Sequence, residues 1–513
     1  MSTIVTAPIR RTSQLKAGAL LSYLTVFVNI AAGLLYTPWM IKSIGNGHYG
    51  LYTLSVAVIN LFLMDFGLGS AVSKFLSRYY ACNDQAGARD FLGVAYKIYG
   101  GLSAIAFLVL TGVYFFIDAI YVKLTPDEIA VFKQLYIIIS AYSVISFPFL
   151  SLNGILLSNE KFIALKMCNL IQKVFTVTLI AFALILGYGV YALVAVNAAG
   201  CLIFTGIKLV IVRKANVKVN MRCRKKGLAK DIFAYSLWIT VAQLASRCIF
   251  LITPTILGIF LGSWEITIFG LASTLEGYTY VFADSMNGML MPSVTRLVAK
   301  GGDSGALTDL MIKVGRLQVY LIGLIVIGFA CVGQSFVINW MGEDYALVYA
   351  CALLMMLPGL LDMPQQIGRT AVQVADHAKL QAYIYAVMAI VNIAMSAVLS
   401  KYLGVMGACV SIFLAYMMRS LGMNIVYHKA LHIDVLKYFR DAYARWLVPA
   451  AITVLAGVVL NMVLRDEGWI GVAIKTLLLT LIYLAGIYTL SMNTYERNTV
   501  GGMVKRIRQF CRL

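Results

Sequence analysis

LQVYLIGLIVIGFACVGQSFVINWMG (317–342) runs from Arg316 to Glu343 without a charge. As a helix at 1.5 Å per residue, this stretch would span about 39 Å, more than the roughly 30 Å of bilayer hydrocarbon. Uncharged apolar runs near or above 20 residues recur along the whole chain. Of its 513 residues, 61% are hydrophobic and 12% charged, against roughly 25% charged in soluble globular proteins. Length alone suggests about three soluble domains, but so few charges cannot cover three aqueous surfaces. Helices are the expected state of these runs, because lipid offers the backbone no hydrogen-bond partner. The expected fold is therefore all-α, a polytopic membrane protein of about 14 spans. These lie near 16–41, 48–73, 91–117, 130–157, 165–187, 190–212, 232–261, 265–295, 312–339, 345–375, 379–400, 404–427, 444–464 and 469–491.

The 42 Lys and Arg outnumber 22 Asp and Glu, a formal charge of +20. Basic residues fall between apolar runs instead of on a soluble face, which argues for membrane topology over nucleic-acid binding. Alternate segments hold Arg10, Arg11 and Lys16; Lys74, Arg78, Arg89 and Lys97; Lys161 and Lys166; then the richest, from Lys208 to Lys230. Later members hold Arg296, Lys300, Lys313 and Arg316, then Lys379, then Lys429, Lys437, Arg440 and Arg445, then the tail from Arg497 to Arg512. The intervening loops are short and several are acidic, such as Glu343-Asp344 and Asp466-Glu467. The positive-inside rule then places both termini in the cytoplasm. Arg10-Arg11 precede a first span too long for a signal-peptide core, so that span is expected to remain as an anchor. Nine cysteines form no CxxC pair, and most lie inside apolar spans; neither disulfides nor a zinc site is expected.

Pairs of residues recur about 215 positions apart: Thr37-Pro38 with Thr253-Pro254, Gly50-Leu51 with Gly270-Leu271, and Asp65 with Asp284. Phe147-Pro148 answers Leu357-Pro358, and Gly189-Val190 answers Gly404-Val405. An ordered series of this kind marks two six-span repeats of the same orientation. The expected organisation is a first lobe over 1–212, a basic cytoplasmic loop over 213–231, a second lobe over 232–428, and spans 13 and 14 with a basic tail over 429–513.

Ionisable groups at membrane depth cost at least ~2.5 kcal/mol each, so they default to a water-lined path or an ion pair. In span 10, Asp362, Gln365, Gln366, Arg369, Gln373 and Asp376 share one helical face. Span 8 aligns Ser273, Glu276, Tyr280, Asp284 and Asn287; span 7 aligns Ser236, Thr240, Gln243 and Arg247. Span 1 aligns Ser22, Thr25, Asn29, Gly33 and Tyr36, span 5 aligns Lys166, Asn169 and Lys173, and Arg419 lies inside span 12. Together they are expected to line a central cavity. Its candidate cations are Lys173, Arg247, Arg369 and Arg419, and its candidate acids are Asp65, Glu276, Asp284 and Asp362. The cations suit an anionic polar substrate, and the acids suit a coupling proton or sodium ion. The alternative for each is a structural ion pair that permits burial. Signals for an enzyme are poor. Asp65-Phe66-Gly67 lacks companion kinase motifs, His428 and His432 lack a third metal ligand, and no GxxxxGK[ST] loop is present.

Asp65-Phe66-Gly67-Leu68-Gly69-Ser70, followed by Lys74-Phe75-Leu76-Ser77-Arg78-Tyr79 and preceded by Gly45 to Tyr52, resembles the polysaccharide transporter family. That family includes Wzx-type O-antigen flippases and shares the MOP superfamily with MATE exporters and MurJ-type lipid II flippases. The resemblance implies two six-helix lobes around a cationic cavity, rocking between inward-open and outward-open states in a bacterial inner membrane. It implies transport of undecaprenyl-pyrophosphate-linked oligosaccharide units without covalent chemistry. Arg247 and Arg369, with Lys173 and Arg419, would attract the pyrophosphate. Asp65, Glu276, Asp284 or Asp362 would couple transport to H+ or Na+, with Asn29, Gln243 and Gln366 as cavity polar groups. No other cofactor and no nucleic acid are implied. The partners are the lipid-linked oligosaccharide and membrane lipid, with a polysaccharide polymerase and a chain-length regulator as further candidates. Three rival readings stand beside this one: a MATE-type drug exporter with an acidic cavity, a membrane polymerase or ligase, and a non-transporting scaffold.

Overall fold

The computed structural model describes residues 26–28, 30–62, 68–82, 84–159, 161–215, 217, 219–221, 226–287, 294, 297, 304–375, 377–464, 468–494 and 496–497. Among them every regular element is helical and no strand occurs. In chain order the helices are α1 (30–44), α2 (Asn46–Phe62), α3 (Leu68–Ala81), α4 (Gln85–Ile120), α5 (Pro126–Ser146) and α6 (Ser151–Ser158). There follow α7 (Phe162–Ile185), α8 (Gly189–Lys214), α9 (Lys226–Phe260), α10 (Ser263–Asn287), α11 (Ser304–Met341) and α12 (Ala346–Met356). The last are α13 (Gly359–Asp362), α14 (Gln366–Val374), α15 (Ala378–Leu403), α16 (Val405–Leu431), α17 (Val435–Val463) and α18 (Trp469–Gly486).

Eleven described helical segments are long and apolar enough to cross a membrane, and each coincides with an expected span. The chain is thus a multi-pass, all-α membrane protein. The three other expected spans, 16–41, 48–73 and 265–295, extend into residues outside the description, as do the N-terminal basic residues and the tail beyond 497.

Local chemistry sets the helix ends. Thr125 caps α5 through a capping box: the Glu128 amide donates to Thr125 Oγ1 at 3.3 Å, and the Thr125 amide donates to Glu128 Oε2 at 2.9 Å. Pro126 follows at the first helical position, where a missing N–H costs nothing. Asp84 caps α4 and Asp434 caps α17 by accepting backbone amides at 2.7 and 2.9 Å. Gly187 and Gly404 take φ of +83° and +60° in the turns before α8 and α16, a backbone region that favours glycine.

The prolines of one repeat pair sit at helix breaks. Pro148 sits in a 3-10 turn, Phe147–Leu150, that breaks the helix between α5 and α6. Pro358 sits at the break between α12 and α13. Pro254 lies inside α9, behind the buried Thr253 whose hydroxyl donates to Ile249 O at 2.6 Å. Gly50 and Gly270 face each other's helices: a Cβ on Gly50 would lie 2.1 Å from Ser263 O, and one on Gly270 would lie 3.2 Å from Thr53 Cγ2.

By compactness the chain divides into two units, Met1–Ser273 with Ala378–Ala415, and Thr274–His377 with Tyr416–Leu513. Compactness and sequence repetition are different properties, and the cuts fall inside α10, between α14 and α15, and inside α16 instead of at residues 212 and 231. In the first unit α9 packs on α2, α3 and α4, and α15 packs on α9. Its buried core joins Val72 and Leu76 of α3, Phe91 and Tyr99 of α4, Phe147, and Ile155 of α6. The inter-repeat segment is pinned on the start of α4, where Asn220 donates to Asp90 Oδ1 at 2.7 Å and to Arg89 O at 3.1 Å.

In the second unit α11 packs along α17, and both contact α18. Glycines allow close approach: a Cβ on Gly323 would lie 2.7 Å from both Trp446 Cζ2 and Tyr483 OH. Trp446 Nε1 donates to Tyr483 OH at 2.7 Å, and that hydroxyl donates to Tyr320 O at 2.8 Å. The last two spans, which lie outside the sequence repeat, are therefore tied to α11 by buried polar contacts.

Candidate functional site

The span Glu343–Val374 is not one helix. Proline lacks an N–H and its ring collides with the carbonyl four residues back, and Pro358 and Pro364 act in succession here. The single turn α13 ends at Asp362, a 3-10 turn covers Met363–Gln365, and helix resumes at Gln366. Broken helices at membrane depth are tolerated where the freed backbone is buried in protein or lines a cavity.

This break collects charge. Arg369 Nη1 donates to Asp362 Oδ2 at 2.9 Å, and Arg369 Nη2 donates to Gln366 Oε1 at 2.7 Å. Arg419 of α16 donates through Nη2 to the same Asp362 oxygen at 2.5 Å. Its guanidinium also stacks over the Tyr416 ring, one turn earlier on the same helix, at 4.2 Å. Asp362, Arg369 and Arg419 are 4%, 9% and 6% exposed. A single carboxylate oxygen thus holds two guanidiniums. Glu276 of α10 is buried in the same unit, within electrostatic reach of Arg419 and Asp362.

The surroundings fix the break. Tyr443 OH of α17 donates to Leu360 O at 2.7 Å, and Gly368 packs on the Tyr427 ring. Gln365 is 1% exposed, and its Nε2 has no hydrogen-bond partner among the described residues. A fully buried amide donor without a partner costs about 1–3 kcal/mol. Such a group is expected where a polar ligand or water completes the site.

Of the sequence candidates, the structure brings together Asp362, Gln366, Arg369 and Arg419, with Glu276 nearby. Gln243, Arg247 and Lys173 belong to the first unit. Gln243 and Arg247 are exposed, one turn apart on α9, and Lys173 is half-buried on α7. Asn29 and Asp65 lie outside the described residues, and so does the side chain of Asp284 on α10. The continuous polar stripe expected over 362–376 is interrupted by the 3-10 turn: Gln365 is buried, Gln373 is exposed, and Asp376 is outside the description. His428 Nδ1 donates to Ile433 O, 3.3 Å away, and no acidic, His or Cys cluster fit for a metal occurs among the described residues.

Sequence reading missed a second buried ion pair. Arg316 Nε lies 2.9 Å from Glu496 Oε1, and Arg316 Nη2 donates to Glu496 Oε2 at 3.0 Å and to Ser491 O at 2.7 Å. This pair joins the first half of α11 to the chain beyond α18. The same unit holds a recess of about 300 Å³ between α11, α17 and α18, lined by residues such as Leu324, Phe329, Phe336, Val472 and Leu479, with three threonines and no charge. The ion cluster, not this recess, can recognise a charged group.

Comparison with known proteins places these features. The sequence profile described as "Polysaccharide biosynthesis protein" matches residues 15–298. A search of curated proteins by sequence finds no match. Among solved structures, the lipid II flippase MurJ in an inward closed conformation is similar, with TM-score 0.65 and 14% identity over 93% of this chain and 98% of that one. An inward-facing multidrug resistance MATE family transporter of the MOP superfamily gives TM-score 0.65 and 13% identity, over 81% and 98%. A MOP superfamily transporter from Pyrococcus furiosus gives 0.61 and 13%, over 82% and 95%. Identities this low show the fold alone, the MurJ- and MATE-like fold that the sequence resemblance implied. The profile match covers more than half of the sequence, and on that ground the chain belongs to the polysaccharide biosynthesis protein family.

Proposed function

We propose that the chain is a flippase for undecaprenyl-pyrophosphate-linked oligosaccharide units, working by alternating access in a bacterial inner membrane with both termini cytoplasmic. The observation that carries this reading is the convergence of Arg369 and Arg419 at a helix break inside the membrane-spanning region of a polysaccharide biosynthesis family protein. Two guanidiniums within reach of one atom suit a pyrophosphate, because each offers paired N–H donors to phosphate oxygens. Exposed Arg247 and half-buried Lys173 supply further cation sites in the first unit.

The sugar would travel along polar faces such as Gln243–Arg247 while the prenyl tail stays in lipid, so the tail is never exposed to water. The protein's task is binding and reorientation, and no bond need form or break. Asp65, Glu276, Asp284 or Asp362 would couple the cycle to H+ or Na+ by favouring one conformer when loaded. A polysaccharide polymerase and a chain-length regulator would take up the flipped unit.

Arg247→Ala and Arg369→Ala should each abolish surface polysaccharide in the native host while the protein remains at normal abundance in the membrane. Normal polysaccharide in either variant would remove the assigned role of that arginine. Purified wild type in liposomes should translocate a labelled lipid-linked oligosaccharide; absence of translocation together with sugar transfer onto an acceptor would establish a polymerase or ligase instead.

A further inference from the structure

Two arginines on one oxygen are an unusual way to spend a carboxylate. Asp362 Oδ2 receives Arg369 at 2.9 Å and Arg419 at 2.5 Å, from two different helices. The trio carries one net positive charge, is nearly sealed from solvent, and sits where the span is already broken on both sides by proline. Asp362 ends the one-turn α13, so its side chain can be repositioned by rotation about the 357–365 segment without unwinding a long helix. Beside it, the amide of Gln365 is buried with its Nε2 unpartnered among the described residues. That orphan donor points to a ligand with acceptor oxygens, because a cation would leave it unpaired.

We infer that Asp362 is an internal occupant of a two-arginine anion site, and that a substrate diphosphate binds by displacing it. The inference rests on the reading of the substrate as a pyrophosphate-bearing lipid, and assigns Asp362 the role of competitor where a coupling-ion role was otherwise open to it. A diphosphate presents more acceptor oxygens and more negative charge than one carboxylate, so it can hold both guanidiniums bidentately and reach Gln365 as well. Displacement releases the tie between α13, α14 and α16, so binding and remodelling of the broken span become one event. When the substrate leaves, Asp362 returns to the arginines and spares them an unpaired buried state. The carboxylate therefore both weakens binding and speeds release.

The test uses the full-length protein in lipid nanodiscs, with geranyl pyrophosphate as the probe. Asp362→Asn removes the competing charge at constant size, so the probe should bind about tenfold tighter than to wild type, as expected when a competing closed state is removed. The same variant should flip lipid-linked oligosaccharide more slowly. In wild type, adding the probe should increase labelling of Asp362 by a hydrophobic carbodiimide, read by mass spectrometry. Equal or weaker binding by folded Asp362→Asn overturns the exchange. So does wild-type labelling that stays level or falls, and this measurement decides alone if the variant does not fold. Wild type that flips oligosaccharide but fails these tests loses the exchange and keeps the proposed function. Wild type that passes them yet flips nothing keeps the exchange and loses that function.

Discussion

Removing Glu496 leaves Arg316 charged and buried, with Tyr320 OH, Ser491 O and, at 3.5 Å, Asp441 O as its remaining hydrogen-bond partners. Breaking one side of such a pair typically costs ~3–5 kcal/mol, more than the pair contributes net, because the survivor is stranded. Glu496→Ala and Arg316→Ala should each lower the melting temperature in detergent strongly. The double variant should be less destabilised than the sum of the two, with a coupling of ~1–3 kcal/mol on a double-mutant cycle. Additive losses would show that the two side chains do not act together. At this scale the sequence was legible only where partners lie close in the chain. Asp362, Gln366 and Arg369 stand out as a polar set inside an apolar run. Tyr416 precedes Arg419 by three residues, a spacing that puts both on one helix face. Arg419 lies 57 residues from Asp362, and Glu496 lies 180 from Arg316, so neither pairing has a local signal. Arg316 reads in sequence as a topological charge at the edge of a span, and its burial is a property of packing alone.

Elements show the opposite balance. Hydropathy placed the spans, since lipid demands internally bonded helices of a set length, whereas Pro148 and Pro358, read in sequence only as a repeat pair, turn out to sit at helix breaks. The 3-10 turn at Met363–Gln365 was not legible, because a helical wheel assumes one continuous period and carries Gln365 onto the same face as Asp362. Close helix approach was half legible: glycines are visible in sequence, but not which of them touches something. Gly50 and Gly112 make the contrast testable. A Cβ on Gly50 would lie 2.1 Å from the Ser263 carbonyl oxygen, while one on Gly112, in α4, meets nothing within 4 Å. Overpacking a fitted contact costs ~1–3 kcal/mol, whereas Gly to Ala in an open helical position contributes up to ~1 kcal/mol of stability. Gly50→Ala should therefore lower the melting temperature and Gly112→Ala should leave it unchanged or raise it. The reverse order in thermal unfolding would refute the α2–α10 contact.

For the whole molecule, depth sorts the +20 formal charge into two groups with different meanings. Charges inside the described spans are few, and Asp362, Arg369, Arg419 and Glu276 are gathered in one buried place. Charges at span ends carry the proposed orientation, in which the segment around Arg213 faces the cytoplasm. The length of α4 adds an independent constraint. Its 36 residues would reach about 54 Å, so one end must project well beyond a hydrocarbon layer of roughly 30 Å. Its first turns carry Arg89 and Asp90 and receive Asn220, which makes that end the projecting one and places the inter-repeat segment beside it. The opposite end of α4 leads through the short turn at Lys123 into the capped start of α5. A single cysteine placed at Lys123 in a cysteine-free background should react with a membrane-impermeant maleimide added to intact spheroplasts. One placed at Arg213 should react only after permeabilisation. Labelling at both positions from outside, or the inverse pattern, would overturn the orientation and with it the direction proposed for the oligosaccharide, because the sidedness of the proposed transport is defined by that orientation alone.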